Sequence, residues 1–251
     1  ESAVAVGSTT KLTTTKKASS RAKITYTSSD ETIATVSEDG TVKGVKAGKA
    51  TITAKLTIGK DTATATQEVE VKKYVLKSVA QTKADTFETS ITGATKDIKT
   101  TDITVKNTEN NVIVPVKSVS VDSKDATKVT FTTFAGLTDG KTYDVTLDGT
   151  TKQVVVSDGK VASVTVNKLT VPVATETEIK LVSKDANGVV LDESAYGSQD
   201  ASKYDFSLTT NNGYVNGSKL YLNKIGDTAT AEVTYKTGKY DANGKPEGNV
   251  T

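Results

Sequence analysis

The sequence predicts an all-β chain of consecutive sandwich or barrel modules, on three observations. Of its 251 residues 45 are Thr, a β-branched residue suited to half-exposed strands, whereas aromatics make up 5% and hydrophobic residues 35%. Apolar residues recur at every second position over long stretches, the period of a strand with one buried face. Asx-Gly dipeptides recur at strand-like spacing: Asp39-Gly40, Asp139-Gly140, Asp148-Gly149, Asp158-Gly159, Asn187-Gly188, Asn212-Gly213, Asn216-Gly217 and Asn243-Gly244. Type I′ hairpin turns demand this dipeptide, because both central residues take φ > 0. No amphipathic helix pattern of about 10–15 residues lies between the strands, which argues against βαβ units.

The elements follow in order. From Ala50 to Ile58, the residues Ala50, Ile52, Ala54, Leu56 and Ile58 alternate with Thr51, Thr53, Lys55 and Thr57. Ala63, Ala65, Val69 and Val71 repeat the pattern, with Thr64, Thr66, Glu68 and Glu70 facing water, so a hairpin turning at Gly59-Lys60-Asp61 closes the first module near Lys73. The second opens at Tyr74-Val75-Leu76 and runs through Phe87, Ile91, Ile103–Val105, Val112–Val116 and Val129–Phe131. Pro115 cannot donate to a ladder, so its strand lies at an edge or carries a bulge. Tyr143, Val145 and Leu147 share one face of a strand, and Val154 and Val156 supply the next. The third module opens near Val161 and contains the alternating strand Ala229, Ala231, Val233, Tyr235. The expected boundaries are therefore 1–73, 74–159 and 160–251. No Pro/Gly/Ser-rich spacer separates them, which predicts modules arranged end to end as a rod. Domains of about 80 residues bury only a little over ~60% of their unfolded surface, so neighbours or bound ions are expected to add to a modest stability.

Composition excludes several function classes. No apolar run approaches about 18 residues, so no membrane insertion is expected, and no signal peptide is recognisable. The absence of Met, even at position 1, suggests an excerpt or a processed product. With no Cys there are no disulfides, thiolate nucleophiles or Cys-ligated zinc. With no His, Ser-His-Asp and Cys-His catalysis are excluded. Arg21 is the only Arg among 32 basic residues, and 30 acids balance the dispersed lysines to a net charge of +2. That leaves no basic stripe for nucleic acid. Paired carboxylates of the glycosidase type need an aromatic-lined cleft, and four Phe, nine Tyr and no Trp furnish few sugar platforms. No enzyme is expected.

The remaining candidates are carboxylates and tyrosines. Calcium needs only oxygen ligands from Asp, Glu, Asn, carbonyls and water. The acidic clusters are Asp30-Glu31, Asp97 with Asp102, Asp122 with Asp125, Asp185 with Asn187, Asp192-Glu193, and Asp241 with Asn243. None has EF-hand spacing, and each has a plainer reading as turn chemistry. The calcium candidates are Asp185, Asp192 and Glu193, then Asp122 and Asp125. Tyr196, Tyr204, Tyr214, Tyr221, Tyr235 and Tyr240 either line the core and strand edges of the third module or form a protein or glycan contact surface. Asn216-Gly217-Ser218 and Asn249-Val250-Thr251 match the glycosylation acceptor pattern. Lys11, Lys16 and Lys17 suit edge protection or contacts with acidic neighbours.

The first segment resembles the bacterial Ig-like group 2 domain. The resemblance rests on Ser28-Ser29-Asp30, Ile33-Ala34-Thr35-Val36, Asp39-Gly40-Thr41-Val42, Gly44 and Ala47-Gly48-Lys49-Ala50-Thr51-Ile52-Thr53, and covers residues 6 to 71. Tyr26 stands where that family often has Trp, and the first strand is expected to be mostly missing before Val6-Gly7-Ser8. The later Thr/Lys/Val-rich segments, such as KLVSKDANGVVLDES, resemble the tandem Ig-like domains of Bacillaceae S-layer proteins. These resemblances imply Ig-like sandwiches from a secreted cell-surface protein. They further imply self-assembly into a two-dimensional lattice on the cell wall, with calcium assisting. The implied partners are other copies of the chain and neighbouring domains of a full-length protein. The alternative is a set of spacer or binding modules from an adhesin or surface enzyme.

Overall fold

The computed structural model describes residues 2–14, 22–134 and 137–251; Lys16, Lys17 and Arg21 lie outside the described residues. The chain divides into two compact units, one of residues 1–80, 85–137 and 142–155, the other of residues 81–84, 138–141 and 156–251. Among the described residues all regular structure is strand, apart from two single 3₁₀ turns at Thr95–Asp97 and Thr100–Asp102.

The first unit begins with a sandwich of two sheets. Its strands are β1 (Ser2–Ala5), β2 (Thr9–Lys11), β3 (Lys23–Ser28), β4 (Ala34–Val36), β5 (Thr41–Gly44), β6 (Gly48–Ile58) and β7 (Asp61–Lys72). One sheet has the order β1-β7-β6-β3 and the other β2-β5-β4. Between them Val4, Ala34, Val42, Ala50, Ile52, Val69 and Val71 form the core. The leading strand, expected to be mostly missing, is present and split between the sheets: β1 pairs in parallel with β7, and β2 pairs antiparallel with β5. Gly7, with φ of 80°, makes the crossing between them. Gly44 is required by a close approach, since a Cβ there would lie 2.7 Å from the Ala5 carbonyl oxygen.

The β6–β7 hairpin has the expected place and the two-residue loop Gly59-Lys60, with Ile58 opposite Asp61. Its burial differs from expectation. Ala50, Ile52, Val69 and Val71 are buried, but Ala63 and Ala65 are exposed. The ribbon outruns the core, and alternation fixes which face a side chain takes without fixing what covers that face.

The same unit continues with β8 (Tyr74–Lys83), β9 (Thr86–Gly93), β10 (Ile103–Asn107), β11 (Ile113–Val114), β12 (Val116–Val121), β13 (Lys128–Thr133), β14 (Thr142–Leu147) and β15 (Thr150–Val155). One sheet has the order β11-β10-β14-β15; in the other, β12, β13, β9 and β8 are successive neighbours. Phe87 and Phe131 are paired across β9 and β13 and stack at 5.0 Å. Tyr143, Val145 and Leu147 are buried, as are Val154 and Val156. Pro115 sits between β11 and β12, each an edge strand of its own sheet, and the register shifts just after it.

The second unit contains β16 (Ser163–Val166), β17 (Thr177–Glu178), β18 (Lys180–Lys184), β19 (Val190–Ala195), β20 (Tyr204–Thr210), β21 (Gly213–Asn216), β22 (Lys219–Leu222), β23 (Ala229–Tyr235), β24 (Lys239–Tyr240) and β25 (Pro246–Glu247). Strands β16, β18 and β19 are consecutive antiparallel neighbours. The other sheets are β17-β22-β21, β20-β23 and β24-β25. The core consists of Ile179, Leu181, Tyr196, Tyr204, Leu220, Leu222 and Val233. The Tyr196 hydroxyl reaches the carbonyls of Ser207 (2.8 Å) and Glu232 and accepts from the Ser207 amide at 3.1 Å. It thereby ties the end of β19 to both β20 and β23.

The turns differ from the type I′ expectation at most positions. Only Asp148-Gly149 has both residues at positive φ, 46° and 70°. At Asp39-Gly40, Asn187-Gly188 and Asn243-Gly244 the glycine alone is left-handed. Its amide closes the turn onto the carbonyl of Ser37, Asp185 or Asp241 at 3.0, 3.1 and 3.0 Å. Left-handed backbone costs free energy for any residue with a Cβ, so three-residue loops that need it only at Gly prevail.

Candidate functional site

The acidic candidates are held by nearby partners, those in loops by their own turns. Asp185 is buried, and its Oδ1 accepts from the amides of Asn187 and Val189, both at 2.8 Å. Asp192 accepts from the Ser194 hydroxyl at 3.0 Å. Glu193, the next residue on the same strand, faces the opposite side of the sheet. There it pairs with Lys83 at 2.7 Å, which holds its carboxyl below the usual range. In the β12–β13 loop Asp122 Oδ1 accepts from the amides of Lys124 (2.7 Å) and Asp125 (2.9 Å), and Asp125 Oδ1 accepts from the hydroxyl (2.6 Å) and amide (3.0 Å) of Thr127. These bonds depress both carboxyls, led by the Lys124 amide for Asp122 and the Thr127 hydroxyl for Asp125. Asp30 and Asp39 are lowered in the same way, chiefly by the Thr32 and Ser37 hydroxyls.

A sequence signal for this role exists. Asp30-Glu31-Thr32, Asp39-Gly40-Thr41, Asp125-Ala126-Thr127, Asp192-Glu193-Ser194 and Asp200-Ala201-Ser202 all place Ser or Thr two residues after Asp. In each, that residue donates to the carboxylate. At Asp30, Asp39, Asp125 and Asp200 the amide two residues on also donates, which makes the Asx-turn, in which a short side chain replaces a backbone acceptor; Asp192 lies within β19 and has the hydroxyl bond alone. Among the described residues no three Asp or Glu come together as a ligand set for a metal ion.

The tyrosines divide by role. Tyr196 and Tyr204 are core residues, and Tyr235 packs edge-on against Tyr204 at 5.2 Å. Tyr214 and Tyr221 are cross-strand partners stacked at 4.9 Å on the β21–β22 surface. The Tyr214 hydroxyl donates to Glu176 at 3.0 Å, and this bond raises its pKa. Tyr240 is exposed.

Of the strand edges whose backbone lacks a partner among the described residues, those of β7 and β23 stand out by length. Along β7, Val6 N donates to Lys72 O (2.9 Å), so Lys72 and alternate residues before it turn their backbone groups outward. Strand β1 covers only Val69–Lys72, leaving the outward groups of Thr62, Thr64 and Thr66 without a partner among the described residues. Along β23, Tyr235 exchanges hydrogen bonds with Val250 at 2.7 and 3.1 Å. The outward groups of Ala229, Ala231 and Val233 likewise have no partner among the described residues. Beside this second edge lies a cavity of about 550 Å³ lined largely by Leu169, Val171, Leu208, Leu220, Leu222 and Ala231. Lys168 and Asp227 stand among its polar lining residues, and Leu169 is 92% exposed.

Comparison with known proteins adds the following. Residues 1–67 match the model of the bacterial Ig-like domain (group 2), so the first sandwich is such a domain. No curated protein matches the chain. Among solved structures, the N-terminal part of the bacterial S-layer protein SbsC is similar at 19% identity, with a TM-score of 0.42, over 71% of this chain and 43% of that one. A longer S-layer fragment, rSbsC(31-844), is 20% identical with a TM-score of 0.29, over 84% of this chain and 29% of that one. Invasin, a bacterial integrin-binding protein, is 13% identical with a TM-score of 0.22, over 86% and 50% of the two chains. The chain thus spans less than half the length of either S-layer structure.

Proposed function

We propose that this chain is part of a structural bacterial cell-surface protein whose Ig-like modules make lateral contacts between copies in a two-dimensional lattice. The observation that carries the reading is the backbone along β7 and β23 that has no partner among the described residues. A sheet edge left open is a template for pairing with another chain, and proteins that must stay monomeric cover or blunt such edges. The residue inventory supports a role without catalysis, since a chain without His or Cys lacks the common general base and nucleophile pairs. The module order, a group 2 Ig-like domain followed by further sandwiches, supports a place outside the cell.

Calcium belongs to the proposal as an assisting ion, held at Asp122 and Asp125, at Asp185 or Asp192, or at Glu193 on the opposite face, through oxygens outside the bonds described above. The alternative role, a spacer or binding module, is favoured by one feature, the stacked Tyr214–Tyr221 pair on an exposed sheet surface, a suitable contact for a protein or a sugar ring. Electron microscopy of the full-length protein with and without a calcium chelator tests the reading. Regular sheets that dissolve on chelation support it in full, sheets that persist remove calcium alone, and separate monomers under both conditions favour the spacer.

A further inference from the structure

We propose that the outer edge of β23 in one molecule receives the exposed distal edge of β7 from a second molecule as an added parallel strand, which sets Ala63 or Ala65 opposite Ala231 and the Lys60-Asp61 tip toward Asp227. This rests on the lattice reading and names the contact that would build it.

Both edges have what strand addition requires. On β23 the backbone groups of Ala229, Ala231 and Val233 point outward at every second residue, in step with the Tyr235–Val250 bridge that already pairs one extended residue to this edge. On β7 the outward groups belong to Thr62, Thr64 and Thr66, beyond the last residue covered by β1. Main-chain hydrogen bonds would supply affinity, and alternate side chains would supply fit. The fit is between small residues. Ala63 and Ala65 are exposed on one face of the ribbon, and Ala229 and Ala231 line the cavity beside β23, so the two backbones can approach without displacing bulky groups.

Charge selects the same occupant. Lys60 and Asp61 stand at the tip of the β7 ribbon, and Lys168 lines the cavity; among the described residues none of the three is engaged in an ion pair. An added ribbon would set the free Asp61 carboxylate against the free Lys168 ammonium, and Lys60 against Asp227. Because two different edges meet, the contact is heterologous and leaves each molecule one edge of either kind to pass the contact on.

The chain has no Cys, so introduced thiols report one site each. The 251-residue chain carrying Ala63→Cys or Ala65→Cys is mixed with the chain carrying Ala231→Cys under mild oxidation, with Thr151→Cys, exposed on β15, as the control partner. Disulfide-linked pairs with Ala231→Cys at least tenfold above the control support the proposal. Equal yields overturn it. The companion variant is Thr64→Pro, which removes an outward amide and no ladder bond within the molecule. It is expected to abolish the cross-link and reduce sedimenting assemblies of the otherwise unsubstituted chain, with its melting temperature unchanged. Assemblies that persist in Thr64→Pro without the cross-link leave the lattice reading standing and overturn this contact, whereas absence of any assembly at high concentration overturns both.

Discussion

The first sandwich and the second unit solve the same problem in different ways. Each has a long late strand, β7 or β23, that pairs on its inner side and is open to cover on its outer side. In the first, the leading segment folds back as β1 and runs parallel to β7, burying Val4 and Ala5. In the second unit, the segment past β16 lies beside a cavity, with Leu169 almost fully exposed, and among the described residues β23 has β20 on one side and a single bridged residue on the other. A module of this size can therefore close on its own strand or leave its last strand open. Openness concentrates unpaired donors and acceptors along one line, where another chain can satisfy them.

The largest expected effect sharpens the closed side of this contrast. Ile52→Ala removes a fully buried side chain from the first core, which should cost about 2–5 kcal/mol, read as an early unfolding step for residues 2–72 in urea. Tyr196→Phe removes the hydroxyl that ties β19 to β20 and β23. Because Ser207 and Glu232 still pair with each other across the ladder, losing the hydroxyl should cost about 1 kcal/mol, and amide exchange should rise in the second unit alone. Gly44→Ala drives a methyl into the Ala5 carbonyl and should lift β1 off β7 at a cost of about 1–3 kcal/mol, extending the open edge of β7 over Val69–Lys72. Increased self-association of that variant, measured by sedimentation, would make edge closure the variable that matters.

Acid should have the smallest effect. Asp30 and Asp39 in the first sandwich, Asp122 and Asp125 in the second and Asp200 in the third are all held below the usual carboxylate range by hydrogen bonds within their turns. A carboxyl depressed by folding contributes stability above its unfolded pKa of about 3.9, and that contribution is lost as pH falls through the folded value. The melting temperature should thus be flat from pH 7 to about 5 and decline below pH 4. Asp39→Asn should flatten part of that decline.

Much of this architecture was legible in the residues. Alternation from Ala50 to Ile58 and from Tyr143 to Leu147 located strands and their inner faces, because a half-buried strand has no other period. The split of the leading strand was not legible, since it depends on one left-handed glycine, Gly7, and on space left at Gly44 by residues distant in sequence. Exposure of Ala63 and Ala65 escaped the pattern because periodicity carries no information on how far the opposing sheet extends. For the carboxylates, the recurring Asp-x-Thr and Asp-x-Ser triplets carried the turn role in plain view, while the acidic pairs alone drew attention to calcium. The open edge of β23 was invisible from sequence, since pairing along an edge is a property of what lies beside it.

Residue-resolved hydrogen–deuterium exchange on the monomeric chain tests the contrast most directly. The outward amide of Glu70, covered by β1, should be protected at the level of the first core, while that of Ala231 should exchange near the unprotected rate and become protected when the protein assembles. Protection of Ala231 in the monomer equal to that of Glu70 would contradict the account, because the edge on which assembly is argued would already be closed.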